Sequence, residues 1–191
     1  MYKIIYADPP WSYNDKANSG KRGASHKYPT MSIDDIKKMP VSNLTGDNDA
    51  VLFMWVTMPL LQEGLDTIKA WGFNYKTCAF VWVKTNKVAG TPFMGMGNWT
   101  RSNAELCLLA TLGKPKRMNA GIRQIIEADE PETLYSPMTR HSAKPTEVRD
   151  RIVSLCGDVP RIELFARDKA DYWDVWGNEV TKASWANGVL G

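Results

Sequence analysis

The sequence predicts an α/β fold: a largely parallel sheet buried between two helical layers. Three observations lead there. Strand-length runs rich in β-branched and aromatic residues recur along the 191 residues. Several are apolar throughout, as strands covered on both faces must be. Amphipathic helical patterns lie between them, and buried strands alternating with helices make a three-layer sheet.

Taken in order, the runs are Lys3–Ala7, Ala50–Val56, Thr77–Val83, Ala104–Thr111, Ile122–Glu127, Arg161–Phe165 and Tyr172–Gly177. A short helix, Ile33–Met39, is expected after Ser32, with Asp34 and Asp35 in its first turn, where carboxylates favour the positive end of the helix dipole. In Pro59–Trp71, residues Leu61, Leu65, Ile68 and Trp71 share a face, and Gly72 suits the cap. In Pro145–Cys156, residues Val148, Ile152, Leu155 and Cys156 do the same, with Gly157 following. Neither repeats nor low-complexity tracts interrupt the chain, so one domain over residues 1–191 is expected.

A hydrophobic content of 43% with 24% charged residues fits an ordinary globular protein. No signal-peptide pattern opens the chain and no apolar run is long enough to span a membrane, so a cytoplasmic location and no membrane partner are expected. Three scattered cysteines, no CxxC pair and two histidines argue against a disulfide framework or a zinc site, and no metal is expected. The net charge of +3 says little, but its distribution says more. Lys84, Lys87, Arg101, Lys114, Lys116, Arg117 and Arg123 face one acid, Glu105, over a single stretch. Lys16, Lys21, Arg22 and Lys27 follow the first strand. Such clusters can neutralise phosphates, and they can also be plain solvated loops.

Sheets of this kind bind ligands beyond the carboxyl ends of their strands. Asp8-Pro9-Pro10-Trp11 stands at such an end. Neither proline has an N–H, so the pair forms a stiff loop whose carbonyls are expected to point outward without competing donors. Asp8 adds a carboxylate acceptor and Trp11 a flat apolar face. Together they suit a planar group bearing an NH2, such as adenine, whose amine is a poor nucleophile because its lone pair is delocalised. Preorganised acceptors that favour a pyramidal nitrogen would free that lone pair without a strong base. The bland alternative is a strand-end turn with a core tryptophan.

Further strings extend the pattern: Tyr28-Pro29-Thr30-Met31-Ser32, Phe53-Met54-Trp55-Val56-Thr57, Trp82-Val83-Lys84-Thr85-Asn86, Gly97-Asn98-Trp99, Glu105-Leu106-Cys107-Leu108, His141-Ser142-Ala143-Lys144-Pro145, Ile162-Glu163-Leu164-Phe165-Ala166-Arg167 and Gly177-Asn178-Glu179. In this order and spacing the chain resembles the family of the catalytic subunit of the mRNA N6-adenosine methyltransferase, which includes small bacterial and phage adenine methyltransferases. The resemblance runs from Ile4 to about Val180. It implies a Rossmann-like, S-adenosylmethionine-dependent methyltransferase fold in permuted order, with the catalytic strand first and the cofactor strand near the C-terminus. Gly95-Met96-Gly97 is neither completed as a dinucleotide fingerprint nor followed by a helix, and no P-loop occurs.

By position, the resemblance implies that Asp8 and Pro9 hold the target amine and that Pro10 and Trp11 shape the pocket. Tyr28 would flank the adenine, with Glu105 a carboxylate near the substrate. Lys144 would sit near cofactor and base, and Phe165, Arg167, Asp168, Asn178 and Glu179 would bind S-adenosylmethionine. Lys84, Trp99, Arg101 and His141 complete the expected substrate contacts, by charge and by stacking. Larger family members carry His-Asn where this chain has Asp168-Lys169, and Gln where it has Glu179. Trp55, Trp71, Trp82 and Trp173 are expected in or near the core.

The expected function is methylation of the N6 amine of adenine in DNA, with RNA as the rival polymer. A catalytically silent nucleic-acid-binding subunit and a small-molecule N-methyltransferase remain as other classes. Little room is left for a recognition domain, so a short site, a homodimer or a partner subunit is expected.

Overall fold

The computed structural model describes residues 1–12, 31–46, 49–86, 89–95, 97, 99–129, 143–178 and 180. Seven strands and three helices follow one another: β1 (Ile4–Ala7), α1 (Ile33–Lys38), β2 (Ala50–Val56), α2 (Leu61–Ala70), β3 (Asn74–Thr85), β4 (Ala104–Leu112), β5 (Ile125–Asp129), α3 (Glu147–Cys156), β6 (Arg161–Leu164) and β7 (Asp174–Trp176). They form one sheet in the order β5-β3-β4-β2-β1-β6-β7.

Four of the six pairings are parallel, and both antiparallel ones involve β4. Six strands therefore point one way and β4 alone points back. This is a mixed, mostly parallel sheet of the α/β Rossmann-like kind.

Alternation along the strands accounts for the layers. Ile5 and Ala7 of β1 join Leu52, Met54 and Val56 of β2 on the face that takes Ile36 of α1 and Ile68 of α2. Ile4 and Tyr6 join Phe53, Trp55, Phe80 and Trp82 on the face that takes Val148 and Ile152 of α3. Neither face is left to solvent, which explains runs that are apolar at every position. Trp55, Trp71, Trp82 and Trp173 are all buried, as expected.

The local expectations hold with shifts. Ser32 caps α1 by accepting the Asp35 N–H at 3.1 Å. The α2 pattern opens as a 3-10 turn, Met58–Leu60, and its buried face is Gly64, Thr67, Ile68 and then Trp71, with Leu61 and Leu65 only partly covered. Gly64 sits there because a Cβ would meet Val56 Cγ2 at 3.0 Å. The run read as Ile122–Glu127 is displaced to Ile125–Asp129. Ile122 is apolar because it packs from a loop against the α3-side core.

Candidate active site

Reversal of β4 decides which residues meet. Its first residues lie at the edge where β1, β2, β3, β5, β6 and β7 end. Glu105 thus stands across from Trp82, while Ala7 pairs with Met54 and Leu164 near the same edge. The chain leaves β1 toward β2 on one side, and β6 and β7 lie on the other. The gap between β1 and β6 is therefore the switch point at which such sheets bind ligands.

Four charges line up there. Lys144 Nζ lies 2.9 Å from Asp8 Oδ2 and 3.3 Å from Glu105 Oε2, and Lys84 Nζ lies 2.8 Å from Glu105 Oε1. Two carboxylates and two ammonium groups alternate, so the chain is neutral as a whole. Burial of the Lys144 ammonium would lower its pKa, but Asp8 and Glu105 outweigh that and hold it well above the ordinary lysine value. Burial would raise the Glu105 carboxyl; Lys144 and then Lys84 outweigh it and hold it below the ordinary carboxylate value. Lys144 is thus a fixed cation and no base.

Two tryptophans floor this chain. Lys144 Nζ sits 5.6 Å from the Trp55 ring centroid and Lys84 Nζ 4.9 Å from that of Trp82, and the two rings meet edge to face at 6.4 Å. Trp55 is fixed in turn by its indole N–H, which donates to Tyr6 Oη at 2.7 Å.

The Asp-Pro-Pro-Trp loop differs from expectation in two respects. Trp11 is buried, and its indole N–H donates to the Trp55 carbonyl at 2.9 Å, so its ring is an anchor in the core and not an exposed stacking face. The proline carbonyls do have donors: Pro9 accepts the Trp11 N–H at 2.8 Å and Pro10 the Met31 N–H at 3.1 Å. Each carbonyl oxygen has a second lone pair for a ligand amine. Asp8 is engaged through Oδ2, which leaves Oδ1 for the same purpose.

Beside Asp8 opens a cleft lined by Tyr6, Lys144, Arg149, Glu163, Phe165, Arg167 and Asp168, among others. It encloses about 90 Å³, smaller than the pockets that enclose drug-sized ligands. Phe165 turns the chain at the end of β6 with φ 62°, and Gly177 lies so close that a Cβ would be 2.1 Å from the Ala166 carbonyl. That turn brings Arg167 and Asp168 to the cleft. A wider hollow near Tyr2, Arg161 and Tyr172 lies at the starts of β1, β6 and β7, on the edge away from this chemistry.

These donors suit the implied cofactor in type. Lys144 and Arg167 match a carboxylate, Asp168 matches hydroxyl or ammonium groups, and Phe165 offers a ring face. Asn178 is exposed after β7 and is not among the residues lining the cleft. Tyr28, His141 and Glu179 lie outside the described residues. Trp99 and Arg101 are exposed in the β3–β4 connection, on the Asp8 edge. Glu105 and Lys84, expected at the substrate, pair with each other, and Glu105 also pairs with Lys144 beside Asp8.

Two charged cleft residues, Arg149 and Glu163, were not among those expected from the sequence. Arg149 grips Glu163 with two hydrogen bonds of 2.6 and 2.9 Å. Burial raises the Glu163 carboxyl despite that grip. A carboxylate inside the apolar run Ile162-Glu163-Leu164 was the available signal.

The basic stretch also divides. Lys84 and Arg101 flank the start of β4, whereas Lys114, Lys116 and Arg117 follow its end and Arg123 precedes β5. The two groups lie on opposite edges, separated by the length of β4, about 27 Å.

Residues 2–179 match the MT-A70 family. The chain is 34% identical to the type II methyltransferase M.MunI of a Mycoplasma species, over 94% of this chain and 78% of that one. It is 28% identical to an N(6)-adenosine-methyltransferase MT-A70-like protein of Drosophila melanogaster, over 94% of this chain and 27% of the relative. It is 26% identical to the N(6)-adenosine-methyltransferase catalytic subunit METTL3 of Homo sapiens, over 94% and 28%. The chain therefore spans only about a quarter of these longer relatives.

Proposed function

The chain belongs to the MT-A70 family of S-adenosylmethionine-dependent methyltransferases, and on that premise we propose that it methylates the N6 amine of adenine in DNA. One observation carries the chemistry: Asp8 stands at the switch point with Oδ2 held by the fixed cation Lys144, and Pro9, the next residue, carries the second acceptor. S-adenosylmethionine supplies an electrophilic methyl group when bound. Lys144 grips Asp8 Oδ2 at 2.9 Å and so fixes the orientation of the carboxylate. Asp8 Oδ1 and the Pro9 carbonyl each accept one N–H of the adenine amine, which draws the nitrogen toward the pyramidal form and aims its lone pair. No side chain needs to remove a proton first: the nitrogen attacks through its lone pair and releases its extra proton to solvent after the transfer, and Lys144, already protonated, is unsuited to take it.

DNA is favoured because the similarity to the type II methyltransferase extends over most of both chains. RNA is the second reading, favoured by the relatives named N(6)-adenosine-methyltransferases. We place the protein in a bacterial or phage setting and in the cytoplasm, acting on a short site, alone, as a homodimer or with a partner subunit.

The test is methyl transfer from labelled S-adenosylmethionine to single-stranded DNA, duplex DNA and RNA, with nucleoside analysis of the products. N6-methyladenine in DNA, abolished by Asp8→Ala, is the expected result. Product confined to RNA would replace the polymer, and full activity of Asp8→Ala would overturn the chemistry.

A further inference from the structure

Trp99 is fully exposed, at 101% relative accessibility, and Met94 nearby is 71% exposed. An indole held in water offers its ring faces for stacking. The backbone around it is closely packed. A Cβ on Gly95 would lie 1.7 Å from the Ser102 carbonyl oxygen, and one on Gly97 would lie 2.1 Å from that of Thr100. The two limbs of the connection therefore lie backbone against backbone, with Trp99 between them in sequence. Its base is tied into the sheet: the Phe93 N–H donates to the Lys84 carbonyl at 2.8 Å, and the Lys84 N–H to the Asn103 carbonyl at 2.8 Å. Lys84 is itself a member of the charge chain that reaches Asp8 through Glu105 and Lys144. Only five residues separate Trp99 from Glu105, a span of at most about 20 Å. Arg101, also exposed, stands two residues from Trp99 and can meet a phosphate.

We propose that Trp99 is a wedge: it enters the base stack of duplex DNA beside the target adenine and fills the space left when that adenine swings out to Asp8. The proposal rests on the reading of adenine in DNA as substrate. An amine inside a paired, stacked base cannot reach the loop after β1, so the base must be extruded, and the stack it leaves must be supported. An indole on a braced loop supplies that support by stacking, whatever the flanking bases. Nothing else exposed and aromatic accompanies Asp8 on this edge among the described residues.

The test uses the whole chain. Sites methylated in unmethylated genomic DNA are read first, and their absence for the native protein would fail the underlying reading without touching Trp99. An oligonucleotide around such a site is then offered as matched duplex and as single strand, and a duplex with 2-aminopurine in place of the target adenine reports extrusion by its fluorescence. Trp99→Ala should lower the ratio of duplex to single-strand kcat/KM at least tenfold and suppress the fluorescence rise. Trp99→Phe should restore most of both. An unchanged ratio with an undiminished fluorescence rise would overturn the wedge, and so would equal losses on duplex and single strand. Because the side chain is fully exposed, both variants should keep the native unfolding midpoint.

Discussion

Replacing Lys144 by Met tests the charge chain as a whole. The substitution keeps most of the volume over Trp55 and removes the cation between Asp8 and Glu105. At an effective dielectric constant of about 20, contacts of 2.9 and 3.3 Å are each worth roughly 5 kcal/mol of attraction, against a desolvation cost of several kcal/mol for a buried ammonium. Removing one member of a buried pair typically costs about 3–5 kcal/mol. The lower end applies here, because Asp8 retains 22% side-chain exposure and Glu105 keeps Lys84. A loss of about 3 kcal/mol, with a urea m-value of about 2 kcal/mol/M, moves the unfolding midpoint down by about 1.5 M. Methyl transfer should fall at least a hundredfold at saturating cofactor, since the Asp8 carboxylate then loses its side-chain partner among the described residues. The double variant with Glu105→Gln should be more stable than the sum of the single losses by about 1–3 kcal/mol, because the second change removes the carboxylate that the first stranded. A single variant with native midpoint, or strict additivity in the double, would refute the idea of one coupled chain.

Trp11→Phe should cost about 1–3 kcal/mol in urea unfolding, since it strands the buried Trp55 carbonyl; an unchanged midpoint would show that the indole bond does not anchor the loop. The Glu105 carboxyl lies below its ordinary value, so its contribution to stability is complete above about pH 4.5 and is lost as pH falls through the lowered value. Acid unfolding followed by circular dichroism should therefore be shallower in Glu105→Gln. Lys144 lies above its ordinary value, so its contribution holds below about pH 10.5 and is lost only as pH rises beyond that. Its alkaline arm should accordingly stay flat through pH 9. Arg101→Glu should weaken DNA binding and reduce the slope of log K against log salt by about one, while Lys116→Glu, on the far edge of the sheet, should leave both unchanged.

The sequence made the sheet, its layers and the position of the reaction loop legible, because each rests on local signals. Ser32 before Asp35, Gly72 and Gly157 after their helices, and strands apolar at every position are readable without knowing what lies opposite. Direction was not readable, because period-two alternation looks the same whichever way a strand runs. Partners were not readable either. Trp11 follows two prolines as a free aromatic would, yet its burial depends on the Trp55 carbonyl 44 residues away. Glu105 and Glu163 carried the same signal, a carboxylate in an apolar strand, and each proved to be gripped by cations from elsewhere in the chain.

The single reversed strand accounts for two of the surprises, Glu105 and the divided basic stretch. With β4 parallel to its neighbours, Glu105 would start at the far edge, and Lys144 would face Asp8 alone. The basic residues from Lys114 to Arg117 would then follow the strand's end at the reaction edge, as a reading of charge along the chain suggests. Reversal exchanges the two. It brings one carboxylate to the site, where two lysines neutralise it, and carries three cations about 27 Å away. Among the described residues, the reaction edge then holds a neutral charge chain over paired tryptophans, with Arg101 and Trp99 standing clear of it. Of these, Arg101 can meet a phosphate and Trp99 can stack on a base, so removal of Trp99 should be severe.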